Sequence, residues 1–267
     1  MRNHFRPAVT TLETRAVPSY VVSVTQFGAF GNGFTDCAPA IQAAINSVPA
    51  TGGTVVFPPG FYEVSRSIVL NKSNTTLIGA GPASSMIQLL PGVQTYALIV
   101  TNTHDDIVTQ LWVDSHHNGI ARLYAGIFIE GCNQVNVNHC QVSNFPFIDI
   151  LVGGAQSYNT VIWADRLYGY GAEGLAITDA NNTIVAGCTF INTPRFSPWG
   201  FQVPIDLEPD PGAADNGVLI EYCTFNAPRS FSSIPNVVYV AQQWGPVTNA
   251  EAIDNIVNGI FIPFQLL

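Results

Sequence analysis

Short β-rich runs recur along most of this chain at solenoid-like spacing, and that repeat restricts the folds open to it more than any other feature. Residues 135–142, 160–167, 183–190 and 218–225 share one pattern: alternating apolar residues, a turn, then a second apolar pair. An earlier copy spans 107–113. Marking each copy by the position just after its turn gives Leu111, Cys140, Asp165, Cys188 and Cys223, with steps of 29, 25, 23 and 35 residues. A single such unit cannot bury its apolar face, but units stacked about 4.8 Å apart share one continuous interior. Cysteine at three of the five marker positions therefore reads as an internal stack of small hydrophobic side chains, with Asp165 an internal hydrogen-bonded member of the same ladder.

A second strand series precedes these runs: Ile127–Glu130, Ile148–Leu151, Leu175–Thr178 and Ile205–Glu208. Aligned on their first residues, positions one and three point inward and two and four outward. The outward columns are then Phe128, Asp149, Ala176, Asp206 and Glu130, Leu151, Thr178, Glu208. Near the start, Val21–Val24 reads as a first strand. Asp36 then caps a helix whose apolar face is Ile41, Ala44, Ile45 and Val48, ended by Pro49 and Gly52-Gly53. The expected fold class is all-β: a parallel β-helix with a short N-terminal capping helix, occupying 21–267 as a single domain, whole or truncated at its C-terminus, behind a leader at 1–20.

Composition narrows the partners. Hydrophobic residues make up 47% of the 267-residue chain, enough to fill a large core. No apolar run approaches the 18 or so residues of a membrane span, so membrane insertion is not expected. Eighteen acidic against nine basic residues give a net charge of -9, which disfavours nucleic acid and anionic membranes. An acidic polysaccharide is repelled too, unless a cation such as Ca²⁺ bridges it to the protein. The five cysteines form no CxxC pair, against zinc or a full disulfide framework.

Residues 24–80 carry Val24–Ala29, Thr35–Cys37, Ala40–Ile45, Gly53–Tyr62 and Leu77–Gly81 in an order and spacing that resembles the opening of pectate-lyase-superfamily proteins related to rhamnogalacturonases. The resemblance implies a right-handed parallel β-helix with a helix over its N-terminal end. It does not choose a chemistry, because hydrolases, lyases, epimerase-like proteins and phage tailspikes share this opening. Pro204–Pro211 also resembles the "GIDIEP" segment of some bacterial β-helix proteins, with proline in place of the usual glycine. Leu12–Ser19 resembles an LExR-type leader, which implies a bacterial extracellular or cell-surface location.

Candidate chemistry gathers on the outward acids. Asp206, Glu208 and Asp210 crowd one strand and its exit, as glycoside hydrolysis by paired carboxyl groups or Ca²⁺-assisted elimination would require. They are the candidate Ca²⁺ ligands, and Asp206 and Glu208 the first catalytic candidates. Asp149 falls in the Asp206 column two turns away, roughly 9–10 Å by strand spacing, at the upper edge of inverting-glycosidase geometry. In flanking loops, Arg195 can act as a base or pair with a uronate, Trp199 can stack on a sugar ring, and His116 and His117 can contact substrate, as can Asp210. His104-Asp105-Asp106 reads as a turn. The expectation is a polysaccharide lyase or glycoside hydrolase working along the outer strand groove; the alternative is a non-catalytic glycan-binding or tailspike-like β-helix. Exposed solenoid ends would favour self-association.

Overall fold

Each repeat contributes one strand to each of three parallel sheets, so the chain winds as a solenoid. The computed structural model describes residues 20–116, 124–193, 202–226, 236–242, 245–258 and 262–266. Among these the three sheets hold eleven, nine and eight strands, with one α-helix. A representative turn runs through Asn136–Asn138 in the first sheet, Gln141–Ser143 in the second and Ile148–Val152 in the third. The next turn places Val161–Trp163, Arg166–Tyr168 and Glu173–Ile177 against them in parallel register.

The corner between the first and second sheets is the most regular. Two residues make it in six successive turns: 110–111, 139–140, 164–165, 187–188, 222–223 and 254–255. The first of each pair is left-handed, with φ between 52° and 62° at Gln110, His139, Ala164, Gly187, Tyr222 and Asp254. One left-handed residue turns the chain through the corner at a cost for residues bearing a Cβ. The second of each pair points inward, giving Leu111, Cys140, Asp165, Cys188 and Cys223 as the column expected from sequence. Backbone N–H groups one turn on donate to the carbonyls of all five.

All five cysteines are free and buried. Asp165 is 1% exposed, and its Oδ1 accepts the Cys140 backbone N–H at 2.6 Å. Burial, and no cation, surrounds that carboxyl, so its pKa stands well above the ordinary range. The same device recurs at other corners. Asp106 Oδ1 accepts from Thr75 N–H at 2.8 Å, and Asp215 Oδ1 from Ala180 N–H at 3.0 Å. Asp106 is therefore a turn residue with a structural task, and the exposed His104 pairs with Asp105 at 2.8 Å.

At the N-terminal end the helix covers Ala38–Ser47 and turns Ile41, Ala44 and Ile45 onto the first turns of the solenoid. Asp36 accepts the Ala38 N–H at 3.0 Å and also ties down Ser65 through its N–H and hydroxyl. The expected first strand is Val21–Ser23, after which Val24–Phe27 forms a 3-10 turn.

The Asp165 bond gives a stability test. Asp165→Val leaves the buried Cys140 N–H without an acceptor and should cost about 2 kcal/mol. Asp165→Asn keeps an acceptor oxygen and removes an ionisable group, so at pH 8 it should lie within about 1 kcal/mol of the parent or above it. Urea denaturation monitored by circular dichroism distinguishes the two.

Candidate functional site on the third sheet

The outer face of the third sheet carries a groove of about 370 Å³. Its apolar floor is built by strand register. Phe128, Leu151, Ala176 and Asp206 stand directly opposite one another on four successive strands. Tyr96 stacks on Phe128 with centroids 4.7 Å apart and planes 20° apart, and Tyr124 packs edge-on against Tyr96. Gly154 completes this wall because a Cβ there would come within 2.8 Å of the Phe128 ring.

Four carboxyl groups line the same groove: Glu173, Asp206, Glu208 and Asp210. Asp206 is 3% exposed, and its Oδ1 has no hydrogen-bond partner among the described residues. Burial, with the negative charges of Glu173, Glu208 and Asp215 added, pushes Asp206 up to about 9. Glu173, on the neighbouring strand and 6% exposed, is pushed up to about 8 by burial and by Glu208. The Glu173 charge is thus one cause of the raised Asp206, and burial holds both groups above the ordinary carboxylate range. Across the other strand edge Tyr239 faces Asp206, and burial followed by the charges of Asp206 and Glu208 raises its hydroxyl.

Asp206, Glu208 and Asp210 thus all line the groove, with Glu208 half-buried and Asp210 exposed. Asp149 does not join them. The third-sheet register pairs Leu151, not Asp149, with the column of Ala176 and Asp206, so the expected alignment is slipped by two residues on this strand. Asp149 stands level with Gly126 and Gly174, and a Cβ on Gly174 would meet the rings of Phe190 and Tyr170. It is fully buried, and its charge acts on Tyr170, itself in the interior. Ile148–Val152 is apolar at four of its five positions, so the pattern fits more than one register and cannot choose between them.

The same local break brings Glu173 out. Leu175 and Ile177 point inward, so a period of two would also bury Glu173 in the core, whereas it lines the groove. The Glu-Gly pair at 173–174 was the available sequence signal. His116 is exposed, its N–H donates to Asp114 Oδ2 at 2.8 Å, and it does not line the groove. His117, Arg195 and Trp199 lie outside the described residues. Among the described residues no three His, Cys, Asp or Glu side chains converge as a cation would require. Asp206, Glu208 and Asp210, the candidate Ca²⁺ ligands, do not converge in this way.

Three parallel sheets stacked turn upon turn define the class: a parallel β-helix. The chain belongs to the family described as Rhamnogalacturonase A/epimerase, pectate lyase-like, which it matches over residues 21–203. It is 35% identical to "Alginate lyase 7" of Azotobacter vinelandii over 133 residues, 43% of this chain and 15% of that one. It is 27% identical over 205 residues to the "Preneck appendage protein" of Bacillus phage PZA, 66% of this chain and 23% of that one. The chain therefore spans less than a quarter of the length of either relative. The hyperthermoactive exopolygalacturonase of Thermotoga maritima superposes over 90% of this chain and 66% of its own, with a TM-score of 0.70 at 15% identity.

The carboxyl pair sets a pH dependence. Raised native pKa values mean that the folded chain binds more protons than the unfolded one from about pH 4, where free carboxyls titrate, to the values of about 8 and 9 for Glu173 and Asp206. Stability from this pair is full below that window and falls as pH rises through it. The melting temperature should be several degrees higher at pH 5 than at pH 9, on the order of 1 kcal/mol or more of difference. Glu173→Gln and Asp206→Asn should each reduce that difference in a calorimetric pH series.

Proposed function

We propose that the groove on the third sheet is a glycan-cleaving site that works by general acid/base hydrolysis. The observation that carries this reading is the placing of Glu173, Asp206 and Glu208 in one open, aromatic-floored groove, where burial and like charge raise Asp206 and Glu173. A carboxylic acid with a raised pKa is the proton donor that a departing glycosidic oxygen needs. In the proposed step the pair gives its proton to that oxygen as the bond from the anomeric carbon breaks. Water then attacks the anomeric carbon and passes its proton to a second carboxylate. Glu208 is that second group: it follows Asp206 by two residues, about 6–7 Å along an extended strand, which leaves room for one water.

Elimination is less well supported. A lyase must neutralise a uronate carboxylate and remove the proton beside it, and the described groove lining contains no lysine, arginine or histidine for either task. The proposed setting is extracellular or cell-surface, in keeping with a polymeric substrate too large to enter a cell.

Incubation with a panel of polysaccharides, read both by reducing ends and by absorbance near 235 nm, tests the reading. The expected outcome is new reducing ends without the unsaturated-product absorbance. Asp206→Asn and Glu173→Gln should each lower kcat at least about 100-fold with KM changed less than about 3-fold. Absorbance at 235 nm would replace hydrolysis with elimination, and glycan binding without turnover would favour the non-catalytic alternative.

A further inference from the structure

We infer that two copies of this chain associate through the N-terminal end of the solenoid, with Phe30, Phe34 and Phe61 of one packed against the same three residues of the other. The contact is independent of the groove on the third sheet. Three observations carry it: where exposed aromatic surface lies, how rigidly it is held, and where the charge of the molecule is missing.

Phe30, Phe34 and Phe61 are 68%, 89% and 52% exposed. They belong to one short stretch of the second sheet. The Phe61 N–H donates to Gly31 O at 2.8 Å, Asn32 is the register partner of Phe61, and a Cβ on Gly33 would stand 3.6 Å from the Phe61 Cβ. Phe34 is carried outward by an irregularity: the chain spends Asn32–Asp36 where its neighbour spends only Phe61–Glu63, so the residues between loop away from the sheet. Val21 and Phe27, also exposed, lie on the same first turn. A phenylalanine ring has no polar tip to pair with water or a sugar hydroxyl, so surface of this kind is stabilised by burial alone. The three rings leave about two whole phenylalanine side chains uncovered, on the order of 300–500 Å² per copy. Counted on both copies, with the exposed Asn32 and Thr35 beside the rings, this reaches the roughly 1,000 Å² that a specific contact between proteins needs.

The rings are held in place before any partner arrives. Asn32 Oδ1 accepts the N–H groups of Phe34 and Thr35, each at 3.0 Å, and the Asn32 amide donates to Thr35 Oγ1 at 3.0 Å. Just beyond, Cys37 N–H donates to Glu63 O at 2.7 Å, and Asp36 accepts from Ser65. Little ordering is left for association to cost. Asn32–Asp36 is the terminal strand of the second sheet, yet Asn32 already takes two of its N–H groups, so the contact runs through rings and not through an added strand.

Charge selects the partner. From Tyr20 to Tyr62 the sequence holds one charged residue, Asp36, and no lysine, arginine or histidine, whereas the chain as a whole carries -9. Two copies repel one another in most orientations and least with these ends together. The lack of basic residues disfavours nucleic acid and anionic lipid against the same rings. A twofold contact covers the surface on both copies at once, and so closes at two.

Sedimentation velocity of the full chain over a range of concentrations tests the inference. The mass should rise from 28.7 kDa toward twice that value, with half-association in the micromolar range. Phe34→Asp puts a carboxylate on both sides of the contact and should hold the protein at the monomer mass over the same range. Its melting temperature should stay within about 2 °C of the parent, because the ring projects from the fold. In a second variant, Phe34→Cys adds an accessible thiol to a chain whose five native cysteines are buried, and a short bismaleimide should link two copies of it while leaving the parent unlinked. A parent that is monomeric at every concentration would overturn the inference, and this is the result expected if the residues before Tyr20 cover the rings. A dimer left intact by Phe34→Asp would place the contact elsewhere, and species larger than a dimer would replace the twofold contact with head-to-tail stacking.

Discussion

Every turn of this protein is held to the next by parallel backbone hydrogen bonds, and the corners are where that ladder is hardest to sustain. Strands supply their own partners, but a corner leaves N–H groups facing the interior, where no water can reach them. Asp165, Asp106 and Asp215 answer this by reaching back one turn with a buried carboxyl oxygen. The cost is an acid kept in a medium that disfavours its charge. The chain accepts it because an unpaired N–H at the same place would break the stacking on which the core depends. Acidic residues in this fold therefore have two distinct tasks, and their position relative to the corner separates them.

That distinction explains what the sequence could and could not reveal. The column through Leu111, Cys140, Asp165, Cys188 and Cys223 was legible because each member follows a turn of fixed length, so spacing alone sets the register. The third sheet was less so. Its strands carry apolar residues on both faces, since the outer face is itself a partly covered floor under Tyr96 and Phe147. With few polar residues to mark the outside, Ile148–Val152 left its register open, and Asp149 was set in the groove when a break in the alternation turns it inside. The break at Gly126, Asp149, Gly174 and Pro204 interrupts the period of two and brings out Glu173, which alternation alone would have buried. Asp206 and Glu208 were legible because acids on an apolar strand stand out whatever the register.

Electrostatics ties the groove to the solenoid behind it. Asp215 accepts the Ala180 N–H, a structural bond, yet its charge also reaches Asp206. Burial pushes Asp215 itself up to about 7, against the opposing hydrogen bond from Ala180. Proton content in the groove is thus set partly by a residue whose first task is to close a corner. Changes made for stability at that corner carry through to the acid pair.

The two-residue corner between the first and second sheets, repeated through six turns, has a counterpart in what the other corners are free to do. A single left-handed residue admits no insertion, so the differences in turn length are carried elsewhere. Between the second and third sheets the connection is 144–147 in one turn and 169–172 in the next, but 115–124, 192–202 and 227–235 in others. Those longer segments join strands that flank the groove. The solenoid therefore separates a frame of fixed length from connections of variable length, and the variable ones lead into the strands of the third sheet. Descendants of such a chain can change the length of those connections without disturbing one rung of the ladder.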